Sequence, residues 1–237
     1  MRNFTLILPA LLLGGCGIAE STPSGPSGTR SFEVSGFDQV ELAGSDNVRV
    51  IAGPAFSVQA TGPEKILDQL KIEVKGSRLI VGRKSRNWVA GWQSGEGALV
   101  TVTMPTIKAA SLAGSGDMAI DRVETPEFQA NLAGSGNLSL DSAQVEKLEA
   151  NLAGSGDIIL AGTAKTIDIS IAGSGDVTAK ELNATDARVS IAGSGNVDAR
   201  ATGSASISLL GSGDVNISGT ANCKTSKMGS GEVRCTP

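Results

Sequence analysis

The chain contains no histidine and no tyrosine, and only 3% of its residues are aromatic. Without histidine it lacks the side chain whose charge changes near neutral pH. Acid–base chemistry is then left to carboxylates and a few lysines. With so few rings, the interior has to be built from Leu, Ile, Val and Ala, and sugar-stacking platforms are scarce. No block of basic charge is present: 20 Lys and Arg stand against 24 Asp and Glu, a net charge of −4. Nucleic acid is therefore not the expected partner. The longest apolar run, Phe4 to Leu13, is interrupted only by Thr5 and is too short to cross a bilayer as a helix.

What is present in quantity is glycine, 31 residues among 237, and much of it sits in one phrase. Ala113-Gly114-Ser115-Gly116-Asp117 is its first full copy, and the leading glycine returns at Gly134, Gly154, Gly173, Gly193, Gly211 and Gly229. The copies are 18 to 20 residues apart. Self-similarity at that period marks stacked coils, none of which can bury its apolar face alone. Two residues before each glycine stand Leu112, Leu132, Leu152, Ile171, Ile191 and Leu209; four before stand Ala110, Ala130, Ala150, Ile169, Val189 and Ile207. Serine or asparagine lies between them. This alternation is that of a strand with one buried side. Past the glycines a second alternating run begins, with Met118, Leu138, Ile158, Val177, Val197, Val215 and Val233.

Each coil is therefore read as two short strands bent around Gly-Ser-Gly, followed by a looser return segment. The expected fold is all-β: a right-handed parallel β-helix, or solenoid, with coils of about 18–20 residues, the hand following the usual crossover rule. At that length residues 31–237 correspond to roughly ten or eleven coils, a rod about 50 Å long at the spacing of stacked strands. Residues 108–237 carry the regular repeats. Residues 31–107 are less regular, with Leu42-Ala43-Gly44-Ser45-Asp46-Asn47 as a worn copy and a short helix around Pro63 to Leu70.

The beginning of the chain reads as an export signal over residues 1–15. Arg2 and the apolar run lead to Leu13-Gly14-Gly15-Cys16, which resembles the lipobox of bacterial lipoproteins. That resemblance implies lipidation at Cys16 and attachment to the membrane through the acyl chains. No Asp follows Cys16, a pattern that resembles outer-membrane sorting in Gram-negative bacteria. Residues 16–30 then act as a flexible tether rich in Pro, Gly and Ser.

Two cysteines remain. Cys223 and Cys235 lie six before and six after Gly229, both at inward positions of the last coil. In an exported protein they are expected to form a disulfide that staples the terminal coil. A redox-active pair is the alternative, although the CxxC spacing that favours it is missing.

Three features bear on binding or chemistry. The residue opening each second strand is acidic or an amide: Asp117, Asn137, Asp157, Asp176, Asn196, Asp214 and Glu232. Asp117, Asp157, Asp176 and Asp214 are candidate calcium ligands on a surface ladder; the alternative is a side chain that bonds the turn backbone in each coil. Otherwise no cofactor is expected. Arg83 to Gly97 holds both tryptophans, Trp88 and Trp92, with Arg86 close by. Tryptophan on a loop favours a binding surface, and the competing reading is a seal over the N-terminal end. No position stands out as a catalytic centre, because every coil offers the same acids.

These residues together resemble the head GIN domain family, the auto-transporter adhesin heads of exported bacterial proteins, a family of unknown function. The likeness runs through Gly36-Phe37-Asp38-Gln39-Val40, Leu79-Ile80-Val81, Val102-Thr103-Met104-Pro105-Thr106-Ile107 and the repeated Gly-Ser-Gly-Asp/Asn. It implies a β-solenoid, and no catalytic residues carry over with it. The expectation is a lipid-anchored envelope protein, a non-catalytic adhesion, binding or structural module whose partner is an envelope protein or a glycan. A carbohydrate-active β-helix (lyase or hydrolase) and a periplasmic partner in envelope signalling are the other two readings.

Overall fold

The structure is a computed structural model that describes residues 26–84, 97–220 and 222–237. It is a β-solenoid of about 6 turns. Strands β8 (Ala109–Gly114) and β9 (Met118–Ile120) make the first regular coil. β10 (Val123–Gly134) follows β9 to the next glycine corner, and the long strands β11 (Asn137–Gly154), β12 (Asp157–Gly173), β13 (Val177–Gly193) and β14 (Val197–Gly211) each run from one glycine corner to the next. β15 (Val215–Ser218), β16 (Cys223–Met228) and β17 (Val233–Thr236) complete the stack.

Neighbouring coils pair in parallel with like over like. Leu132 lies over Leu112 and under Leu152, then Ile171, Ile191 and Leu209 follow in the same column. The inward columns are almost fully excluded from water: Leu138 and Ile158 are both 0% exposed. Their sizes compensate along the rod. Where the column four before the glycine holds Ala130 and Ala150, the one six before holds Phe128 and Leu148; where the former widens to Val189 and Ile207, the latter shrinks to Ala187 and Ala205. Large against small keeps the layers filled without voids.

The corner explains the glycines. Gly154 sits at φ +138°, a backbone region that a Cβ disfavours. Gly156 is required for a different reason: a Cβ there would overlap the carbonyl oxygen of Gly136 in the coil below. The corners stack backbone on backbone, with the Ser155 and Gly156 N–H groups donating to the Gly134 carbonyl at 2.9 and 3.1 Å.

Two expectations need correction. The return segment is not loose; Val123–Thr125 pairs with Ala143–Val145, which in turn pairs with Gly162–Ala164, as a third parallel side. The register shifts fall there, between Leu140 and Ala143 and between Ala179 and Asn183, so differences in coil length are absorbed away from the corners. The coil number is also below ten, because residues 31–107 do not add coils one after another. β2 (Gln39–Gly44) and β3 (Asn47–Ala52) form the coil beneath β8 and β9. β6 (Arg78–Arg83) and β7 (Leu99–Met104), though later in the chain, pack outside them as the outermost parallel coil. β5 (Leu70–Lys75) then pairs antiparallel with β6, β4 (Ser57–Pro63) antiparallel with β7, and β1 (Ser27–Phe32) antiparallel with β4. The short helix α1 (Glu64–Leu67) tucks Leu67 into the core beside Leu70.

Candidate functional site

Three surfaces follow from this frame: a groove on the side that leads into the corner, the column of acids and amides after it, and the outermost N-terminal coil.

The groove runs across the coils and encloses about 450 Å³. Two outward columns line it. One is Ser111, Asn131, Asn151, Ser170 and Ser190; the other is Ala113, Ala133, Ala153 and Ala172. Glu41 marks its N-terminal end. The asparagines bond along the column, Asn151 Nδ2 donating to Asn131 Oδ1 at 3.0 Å and Asn131 Nδ2 to Ser111 Oγ at 3.4 Å. Beyond the groove the alanine column ends in Leu210 and Met228, which are 55% and 72% exposed. The surface therefore offers an uncharged polar row beside a shallow apolar row, repeating once per coil. Sequence reading placed these residues as a polar outer face and did not single them out as a groove. The alternation alone gives their direction, and the depth comes from the smallness of alanine and serine next to their neighbours.

In the acid and amide column the four aspartates bond the coil above rather than their own turn. Asp117 Oδ1 accepts the Asn137 N–H at 3.1 Å, Asp157 Oδ1 the Asp176 N–H at 3.1 Å, Asp176 Oδ1 the Asn196 N–H at 2.7 Å, and Asp214 Oδ1 the Glu232 N–H at 2.7 Å. The amides add a second bond, from Asn137 Nδ2 to Asp117 and from Asn196 Nδ2 to Asp176, both at 2.9 Å. A short oxygen-bearing side chain is needed at each start of the second strand because that backbone N–H has to be satisfied there. Asp117, Asp157, Asp176 and Asp214 already spend one oxygen in this way. Among the described residues no three acids, cysteines or histidines converge as metal ligands.

Trp88, Trp92 and Arg86 lie outside the described residues, as does Cys16. The ends of the segment that holds the tryptophans are described, and they meet at one buried carboxylate. Gly82 pairs with Ala43 and Leu99 with Asn47, so the sequence 83–98 links two positions whose counterparts in the next coil are linked by Gly44–Asp46 alone. Asp46 is 0% exposed. Its Oδ1 accepts Arg83 Nη2 at 2.7 Å and the Ala98 N–H at 2.9 Å, while Oδ2 accepts Arg83 Nε at 2.9 Å. The hydrogen bonds to Asp46 hold the Arg83 guanidinium above its ordinary pKa, against the opposing effect of burial. Lys84 is fixed as well, its Nζ donating to the Asp68 carbonyl at 2.9 Å. Asp46 occupies the place that the second glycine holds in every later copy. Its side chain is taken up by Arg83 and the Ala98 N–H of the outermost coil. The substitution of Gly by Asp in the worn copy was the available signal for this clamp, and sequence reading passed over it.

At the other end, Cys223 and Cys235 form the expected disulfide, with a Cα–Cα distance of 6.5 Å across the last coil. The remaining charge pairs are surface features. Lys147 bonds Glu149 and lies 3.7 Å from Asp168, which also pairs with Arg188 at 3.2 Å.

Similarity to known proteins agrees with this architecture. Among curated proteins, none matches the chain. A crystal structure described as a putative adhesin from Bacteroides fragilis superposes with a TM-score of 0.82 at 25% identity, covering 91% of this chain and 99% of that one. One described as a putative lipid binding protein from Parabacteroides distasonis reaches 0.71 at 24% identity, over 91% and 98% of the two chains. A further putative adhesin from Parabacteroides distasonis reaches 0.67 at 21%, over 90% and 98%. Residues 36–221 match the family described as "Putative auto-transporter adhesin, head GIN domain", and the chain belongs to that family.

Proposed function

We propose that the chain is a cell-envelope binding module without catalytic activity, held at the outer membrane by acyl chains on Cys16 and engaging an envelope protein or a glycan through the groove. The observation that carries this reading is the groove itself: about 450 Å³ lined by repeated Ser, Asn and Ala across several coils. A surface that repeats once per coil suits an elongated partner that repeats or extends along the rod. Polar hydroxyls and amides supply bonds that orient it, and the alanine row supplies apolar contact. A catalytic centre needs one place unlike the others, with an acid and a base of different environment. Here the column aspartates are engaged in bonding backbone of the next coil, and Asp46, the buried exception, is held by Arg83 and the Ala98 N–H. Trp88, Trp92 and Arg86 form a second contact region at the N-terminal end in this proposal. The export signal, the lipobox and membership of a family named for adhesins support the envelope location.

The test has two arms. Cys16→Ala should move the protein from the membrane fraction to the soluble periplasmic or secreted fraction; unchanged membrane retention overturns the anchoring. In-cell crosslinking from position 153 should then yield a defined partner. Ala133→Arg with Ala153→Arg should reduce that product at least tenfold, and Trp88→Ala with Trp92→Ala by a smaller factor. A product insensitive to the arginines, or none from the groove while the tryptophan segment crosslinks, removes the groove from the proposal.

A further inference from the structure

We infer that Lys227 guards the C-terminal coil against edge-to-edge pairing with a second copy of this chain. The inference stands apart from the groove and uses the end of the rod. β16 pairs only with β14, and β17 only with β15. Among the described residues nothing pairs with their outer sides, so both present unused backbone N–H and C=O groups.

β16 runs into the corner Gly229–Gly231 and β17 runs out of it. A two-fold axis through that corner lays β16 of one copy against β17 of the other in antiparallel sense, and forms both pairings at once. That is a closed, isologous contact. The pleat is preserved, because the Leu209 column continues into Lys227 and the Val215 column into Val233, so interior meets interior. An isologous contact uses this surface up in two copies, and the opposite end of the rod is built differently, covered by antiparallel strands and α1 with Leu67 and Leu70 buried.

Lys227 opposes this contact. The equivalent position in the six preceding regular coils is Leu or Ile, from Leu112 to Leu209, and each is 3% exposed or less. Lys227 stacks directly on Leu209 and sends its Nζ back to the Gly231 carbonyl at 2.8 Å. In the single rod its stem covers the end of the core while the ammonium stays wet. In the paired rod two such ammonium groups would be enclosed near the axis. The only carboxylate of that coil's side chains, Glu232, points outward and is bonded by Arg234 at 2.8 Å. Enclosing an ammonium without an acid is costly, and inward-pointing lysine is a known guard for a strand edge.

The experiment uses residues 16–237 exported behind an ordinary cleavable signal, with Cys16→Ser so that no lipid contributes, and reads mass by light scattering. The unmodified protein should run at one chain. Lys227→Leu should double the mass while keeping the disulfide and a cooperative melt. Lys224→Leu, outward on the same strand, should stay at one chain. If Lys227→Leu fails to fold, Lys227→Met, which keeps the unbranched stem, is read in the same way. A mass of one chain for the neutral variants overturns the inference. So does a mass beyond two, doubling by Lys224→Leu alone, or a dimer already present with Lys227 in place.

Discussion

At its N-terminal end the solenoid is covered by β4, β5 and α1, while among the described residues no strand pairs with the outer side of β16 and β17 in the C-terminal coil. The difference shows in burial. Leu79, Val81, Val100 and Val102 of the outermost N-terminal coil are all 0% exposed, as if they lay mid-rod. In the last coil β16 has no buried residue, and Val233 of β17 is only half-buried. One end is sealed by extra chain, packed antiparallel and clamped by a buried ion pair. The other is held by a covalent bond and protected by a lysine. A repeat can be extended indefinitely in principle, so its ends need separate solutions, and this chain uses two unlike ones.

The comparison breaks most visibly at the corners. Gly156→Ala sets a Cβ onto the Gly136 carbonyl, where backbone has no room to yield. A loss of about 3 kcal/mol or more is expected, beyond ordinary overpacking of side chains. Among the described residues, Gly44→Ala in the worn copy meets nothing within 4 Å and carries the strain of φ +142°. Its expected cost is about 1–2 kcal/mol. Urea titrations of the two variants measure the contrast, and equal losses would mean that stacking does not set the corner glycines.

Asp46 comes next. Asp46→Ala removes the carboxylate that Arg83 bonds and leaves the Ala98 N–H buried without that acceptor. Breaking such a pair costs about 3 kcal/mol, toward the low end for buried ions because Arg83 keeps 20% exposure. Asp46→Gly restores the phrase found in every later copy and should be equally damaging. Were Asp46 simply a decayed glycine, the restored phrase would be neutral or stabilising in the same thermal melt.

The regular coils were legible in the sequence because each inward position recurs with the same residue class. Leu112 to Leu209 at two before the glycine, and Met118 to Val233 at four after it, specify strand, direction and stacking together. The stack order at the N-terminus was not legible. That β6 and β7 lie outside β2 and β3 depends on pairings between distant segments whose alternation fits either a parallel or an antiparallel neighbour. The return side was hidden by its register shifts, since Gly162 faces Ala143 and Asn183 faces Arg200 without constant spacing. The acid column was visible as a column, but whether it bonds its own turn or the next coil is a matter of three dimensions. Asp46 was readable only as a mismatch, and a mismatch acquires meaning from what lies beneath it.

The disulfide offers a smaller effect with a distinctive location. Cys223 and Cys235 are 12 residues apart, and closing a loop of that size is worth about 2–3 kcal/mol when the whole protein unfolds together. The last coil has few buried contacts, so Cys223→Ser with Cys235→Ser should release it locally before the rest. Amide exchange is expected to rise in β16 and β17 and to remain slow in β12 and β13. Uniform acceleration along the rod would show that the terminal coil supports all the others.

The smallest effect separates charge pairs at the two ends. Asp38 enters the first coil and pairs with Lys108 at 2.7 Å. The hydrogen bond from Lys108 holds the Asp38 carboxyl below the ordinary value of 3.8, outweighing partial burial. A carboxyl with a lowered folded-state pKa stabilises the fold fully above its unfolded value, and that contribution is lost as pH falls through the lower folded value. Lys108→Ala should therefore cost about 0.2–1 kcal/mol at neutral pH, and less as the melt is repeated at pH values progressively below 3.8. Arg234 and Glu232 form the comparable pair on the last coil, where the Arg234 side chain likewise holds the Glu232 carboxyl down. Both are largely exposed, and Arg234→Ala should shift the melt less than Lys108→Ala does at neutral pH. An equal pH-dependent loss at both ends would mean that the covered end confers no advantage on its ion pairs, and that its stability comes from the packing of Leu67 and Leu70 and the Asp46 clamp alone.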